Sequence, residues 1–273
     1  MKTTRYLLTF CLTAFLCLSF SANAADIELA EAVNKAGKQR MLSQRIAKAY
    51  FFLGGNVRRD KAKQQLQSSI IELKKNHTEL KAEVKSKDVQ QLLVFLDIVI
   101  DDYEKLVNQP YTQADATMVL DMSETILELS QDVVVKIEAL SNRKTPKIVN
   151  LSGRQRMLSQ RIAKYYIAHQ LGFKEQDYVN QLTTAVREFE SAMAVLKSEK
   201  INTPEITEKL IRTTRLWRVI RPFFMDVEKG GLPVTIFATT DRIMEFMNTI
   251  TGMYVTSLPD SFKVSVVPVL WVN

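Results

Sequence analysis

Residues 33–50 read VNKAGKQRMLSQRIAKAY and residues 149–166 read VNLSGRQRMLSQRIAKYY, identical at fourteen of eighteen positions at an offset of 116. With the same offset and no gap, Gln65-Leu66 aligns with Gln181-Leu182, Glu72 with Glu188, Leu80-Lys81 with Leu196-Lys197 and Glu83 with Glu199. A core needs only apolar residues of suitable volume, so packing alone does not require the same Gln, Arg, Ser and Lys twice. Identity is dense in this one stretch and thin afterwards, which reads as an old duplication with a constraint on one helix.

Working outward, apolar positions recur at helical spacing throughout. Leu66, Ile70, Leu73, His77, Leu80 and Val84 form one stripe, Leu92, Leu96, Val99, Tyr103 and Leu106 another. Val119, Met122, Ile126, Leu129, Val133 and Leu140 alternate steps of three and four, the seam of a bundle. Gly54-Gly55, Pro110, Pro146, Gly172, Pro204, Gly230-Gly231 and Pro259 punctuate the stripes. Eight helices follow, at about 26–53, 57–86, 88–108, 112–143, 147–171, 174–200, 204–229 and 234–257, with Pro222 expected to kink or split the seventh. The fold class is therefore all-α: two tandem four-helix-bundle units, residues 25–145 and 146–257, related by a pseudo-twofold axis. The tail 258–273 alternates more like a strand over its last residues and has no assigned role.

The chain has 273 residues, 46% hydrophobic and 25% charged, an ordinary globular composition. Lys2 and Arg5 precede an apolar run from Tyr6 to Phe20, and Ser21-Ala22-Asn23-Ala24 ends it in a small-x-small pattern. Residues 1–24 are expected to be a cleaved signal peptide, which would place the mature chain in the periplasm. The run is shorter than the roughly 20 residues of a membrane span, and no later run is longer, so the processed chain is expected not to be transmembrane. Both cysteines, Cys11 and Cys17, fall in this leader. The net charge of +7 drops to +5 without Lys2 and Arg5, too mild to suggest nucleic acid as a partner. Two histidines and no mature cysteine give a metal site little to be built from. No nucleophile–base pair, paired carboxylate or cofactor loop is present, so neither enzymatic activity nor a cofactor is expected.

On a helix, Val33, Ala36, Gly37, Arg40, Ser43, Gln44 and Ala47 share one face, and Val149, Ser152, Gly153, Arg156, Ser159, Gln160 and Ala163 share its counterpart. Each is a small-residue stripe with one guanidinium in the middle. Leu42 and Ile46, or Leu158 and Ile162, make the opposite side apolar too, so this helix should be enclosed, with the small residues allowing a second helix to approach closely. A buried arginine needs a partner, because an isolated buried charge costs several kcal/mol or more. No Asp or Glu lies between Glu31 and Asp60, nor between Glu138 and Glu175. Two such arginines facing each other form a site for a small oxyanion, since the planar guanidinium donates two parallel hydrogen bonds. The alternative is a structural arginine bonded to backbone carbonyls or to an acid of a neighbouring helix. Ser43, Ser159, Gln44 and Gln160 either complete the anion site or bond across the helix interface. Arg45 and Arg161 point away from it and should be solvated or salt-bridged. His77 is expected to be a satisfied core histidine, and His169 a surface or capping residue.

The pattern Asn-x-x-Gly-x-x-Arg-Met-x-Ser-x-Arg, at Asn34 to Arg45 and at Asn150 to Arg161, resembles the signature helix of the periplasmic domain of nitrate/nitrite sensor kinases. The fuller string Ala-Gly-Lys-Gln-Arg-Met-Leu-Ser-Gln-Arg-Ile-Ala-Lys is still more similar to the PilJ-type domain, the N-terminal domain of type IV pilus methyl-accepting chemotaxis transducers. The resemblance implies a sensory helical bundle in which the arginine before Met grips the anion from two signature helices, here Arg40 and Arg156. Those receptors pair two subunits and continue into a membrane helix and a signalling domain, whereas here both copies lie in one chain and no such domain is expected. The expected function is a periplasmic ligand-binding module for nitrate or nitrite that reports to a membrane-bound sensor or chemoreceptor. The alternative is a structural or interaction module of a chemoreceptor or type IV pilus system.

Overall fold

A computed structural model describes residues 29–140 and 145–261, so the expected signal peptide and most of the apolar tail lie outside the described residues. Helix α1 (29–54) is followed by α2 (Arg59–Glu83), α3 (Lys87–Val107), α4 (Gln113–Ala139), α5 (Thr145–Gln170), α6 (Gln176–Ser198), α7 (Pro204–Met225) and α8 (Pro233–Ser261). The described chain is all-α, as the periodicity predicts. No described helix is long and apolar enough to cross a membrane.

Local chemistry sets the boundaries. The Thr112 hydroxyl accepts from the Asp115 amide at 3.0 Å and starts α4. Thr203 does the same for Ile206 at 3.2 Å, with Pro204 opening α7, where a missing N–H costs nothing. Gly172 leaves α5 at φ 101°, a conformation that would strain any residue with a Cβ. Pro222 does not split α7. It lies in the last turn, and the helix stops three residues later at Met225 rather than running to 229.

Helices α1 and α5 form the centre. From Gln39 to Phe52 only Arg45 escapes burial, and from Gln155 to His169 only Arg161 does. Helix α1 touches α2 through Gln39 and His77, and α3 through the Tyr103 hydroxyl on the Ser43 carbonyl. It reaches α4 through Gln44, whose amide donates to the Ser123 carbonyl at 2.9 Å. Helix α5 packs on α6 and α8, and Gln160 repeats the contact of Gln44 on the Thr240 carbonyl at 3.1 Å.

The direct bonds between α1 and α5 fix their direction. Arg40 Nη2 donates to Asn150 at 2.7 Å, and Lys48 donates to Gln160 at 3.0 Å. The second pair lies further along both helices than the first, as parallel but not antiparallel neighbours require. The Arg40–Asn150 contact has its counterpart in Arg156 Nη2 donating to the Asn34 carbonyl at 3.3 Å. These reciprocal bonds describe an approximate twofold that runs along the helices and exchanges α1 with α5.

Candidate functional site

Glycine leaves room for the guanidinium groups between α1 and α5. A Cβ placed on Gly37 would meet Arg40 Nη2 at 3.0 Å and Arg156 Nη2 at 3.5 Å, and one on Gly153 would meet Arg156 Nη2 at 3.0 Å. Both guanidinium groups thus lie within 3.5 Å of a single point. The helix face predicted from the repeat has brought Arg40, Arg156, Gly37 and Gly153 into one space.

Each arginine is 1% exposed, yet neither makes an ion pair among the described residues. Arg40 donates from Nη1 to Gln131 of α4 and from Nη2 to Asn150, and its Nε has no partner among the described residues. Arg156 donates to Asn248 of α8 at 2.8 Å, to the Asn34 carbonyl, and weakly to the Gly153 carbonyl. All of these partners are neutral. Burial lowers Arg40 to about 9, helped by the positive charges of Arg156 and Arg154 and opposed by the carboxylate of Glu138. Burial likewise lowers Arg156 to about 10, against the distant carboxylates of Glu31 and Glu72. Two positive charges thus stand side by side, with amide and carbonyl oxygens as their direct partners and the carboxylates of Glu138, Glu31 and Glu72 acting on them without an ion pair.

The remaining predicted residues serve the helix interfaces. Ser43 and Ser159 donate back to the carbonyls of Arg40 and Arg156 at 3.0 and 2.8 Å. Gln44 and Gln160 spend their amide donors on α4 and α8. Their hydrogen bonds position the signature helices; they are not directed between the two guanidinium groups. Arg161 is salt-bridged to Glu124 at 2.5 Å. His77 is satisfied on both ring nitrogens, by Gln39 at 2.7 Å and Asp97 at 2.8 Å. His169 is not a surface residue: it is 3% exposed and bonds Glu228 at 3.0 Å, because the loop after α7 folds over the end of α5.

Sequence reasoning missed the two lysines of the repeated string. Lys48 is fully buried and donates to Asp241 of α8 at 2.6 Å, under the Phe237 ring. Lys164 is equally buried and donates to Glu124 of α4 at 2.5 Å. Each pair joins the first half of the chain to the second. Burial lowers both ammonium groups to about 8 against the pull of their carboxylates. Identity of Lys48 and Lys164 in the two copies was the signal. The matching Asn34 and Asn150 that open the signature pattern each meet the opposite arginine, Asn150 through its side chain and Asn34 through its backbone carbonyl.

The model of one protein family, described as the type IV pili methyl-accepting chemotaxis transducer N-terminal domain, matches residues 26–94 and 139–235. No curated protein and no solved structure matches the chain. The matched segments contain both signature helices with Arg40, Lys48, Arg156 and Lys164.

Proposed function

Because the chain belongs to the PilJ family of chemotaxis-transducer N-terminal domains, we propose that it is a sensory helical module of a chemoreceptor or type IV pilus system. We take residues 25–145 and 146–257 as its two four-helix units, and a small planar oxyanion, nitrate or nitrite first, as its ligand. The observation that carries the ligand is the pair of buried, ion-pair-free guanidinium groups converging beside Gly37. An anion between them would add negative charge beside two arginines that have no ion pair among the described residues, and would accept from the Nη2 groups that converge there. Export through residues 1–24 would put the module where it samples external anions, with a membrane-bound partner reading its occupancy.

A second reading is favoured by the family description itself and by the neutral hydrogen bonds that both arginines already make. In it the arginines are structural, and the protein is an interaction module of the same system. Thermal unfolding separates the two. An anion at about 100 times its dissociation constant stabilises the folded state by roughly 2.7 kcal/mol, a shift of several degrees for a chain of this size. Nitrate or nitrite should raise Tm where chloride at equal ionic strength does not; equal shifts would favour the interaction module.

A further inference from the structure

The two copies diverge most on their outer faces. Helices α3 and α7 occupy equivalent places at an offset of 117, yet the charged residues of α3 sum to −3 and those of α7 to +3. On the solvent face of α3, Val94, Phe95 and Ile98 are more than half exposed, followed one turn on by the exposed Asp101, which pairs with Lys74 of α2 at 3.2 Å, and Asp102, which pairs with Lys105 of its own helix at 2.8 Å. The aligned positions of α7 are Ile211, Arg212, Arg215, Arg218 and Val219. Arg212 pairs with Glu208 of its own helix, whereas Arg215 and Arg218 make no ion pair among the described residues. One face is thus apolar and acidic, the other basic.

Beside the basic face, between α6 and α7, is an open cleft of about 180 Å³ walled by Phe189, Met193, Ala194 and Trp217. Its one carboxylate, Glu190, is occupied by the Trp217 indole N–H at 3.0 Å and by Arg221. The cleft therefore offers apolar walls within a cationic rim that includes Lys197. Phe95 with its acidic neighbours has the complementary chemistry. The approximate twofold that exchanges α1 with α5 also exchanges α3 with α7, which places the two faces on opposite sides of the molecule. A single chain cannot join its own faces.

We propose that the α3 face of one copy docks on the α6–α7 face of a second copy, Phe95 entering the cleft and Asp101 and Asp102 exchanging their exposed pairs with Lys74 and Lys105 for Arg215 and Arg218. The contact is heterologous, so each chain keeps one free end of each kind, and association runs head to tail without closing at two. Apolar burial supplies the attraction, and the charges set register and on-rate, making association weaker at high salt.

Sedimentation of the chain over a range of concentrations tests this. Species larger than a dimer should grow with concentration and recede with salt. Phe95→Asp, or Arg215→Glu with Arg218→Glu, should each leave a single-chain species with unchanged circular dichroism, since all three side chains are exposed. Mixed, the two variants should form a 1:1 complex and nothing longer, because each retains one intact face. A wild type that stays a single chain at its highest soluble concentration would overturn the proposal. So would a closed dimer that survives Phe95→Asp, or a mixture of the variants that fails to pair.

Discussion

Lys48 of α1 reaches across the molecule to Asp241 of α8 at 2.6 Å, and Lys164 of α5 makes the same reach to Glu124 of α4. Each ammonium is fully buried, so the carboxylate is its compensation as well as its contact. Removing one partner leaves a buried charge without compensation, which costs about 3–5 kcal/mol. Glu124→Gln and Asp241→Asn should each lower the unfolding free energy by that order in urea titrations. Replacing both members of a pair with apolar residues of similar volume should recover much of the loss.

The same pair sets an acid limit. Burial alone would raise the carboxyl of Glu124, but Lys164 and Arg161 overcome it and hold Glu124 down at about 2. Its folded value lies below its unfolded one, so the stabilisation is full above about pH 4.5 and is lost as pH falls towards 2. The loss amounts to at most about 3 kcal/mol. Urea midpoints measured between pH 6 and pH 2.5 should fall steeply in wild type, and the Glu124→Gln variant should lack this part of the slope.

Gly37 separates site from scaffold. Alanine is a better helix former than glycine by up to about 1 kcal/mol, but its methyl would stand 3.0 Å from Arg40 Nη2 and 3.5 Å from Arg156 Nη2. The Gly37→Ala variant should keep its helicity and change its unfolding free energy by less than about 1 kcal/mol, because the two effects oppose each other. Its anion-dependent shift in Tm should disappear, since the methyl fills the space between the guanidinium groups.

The helices and the arginine face were legible because they obey one-dimensional rules. The 3.6-residue period places Arg40 beside Gly37 and Ser43 without knowledge of any neighbour, and the repeat supplies the second copy. What lay beyond reach was pairing across distance. Asp241 stands 193 residues from Lys48 on an otherwise ordinary amphipathic helix, and nothing in its spacing marks it as a counter-ion. His169 reads as a helix-end residue, and only the fold of the segment around Glu228 buries it. The roles of Ser43 and Gln44 turned on which helix faced them, which periodicity does not specify.

We propose that Arg40 and Arg156 form one site rather than two. Isothermal titration of the chain with nitrate, in a buffer whose ionic strength is held with chloride, tests it most directly. Saturable binding of one anion per chain, lost in Arg40→Ala and equally in Arg156→Ala while helicity is retained, is the predicted result. Arg→Lys at either position should weaken binding, because an ammonium lacks the bidentate fork. No saturable heat, or two anions per chain with one site surviving each substitution, would contradict it.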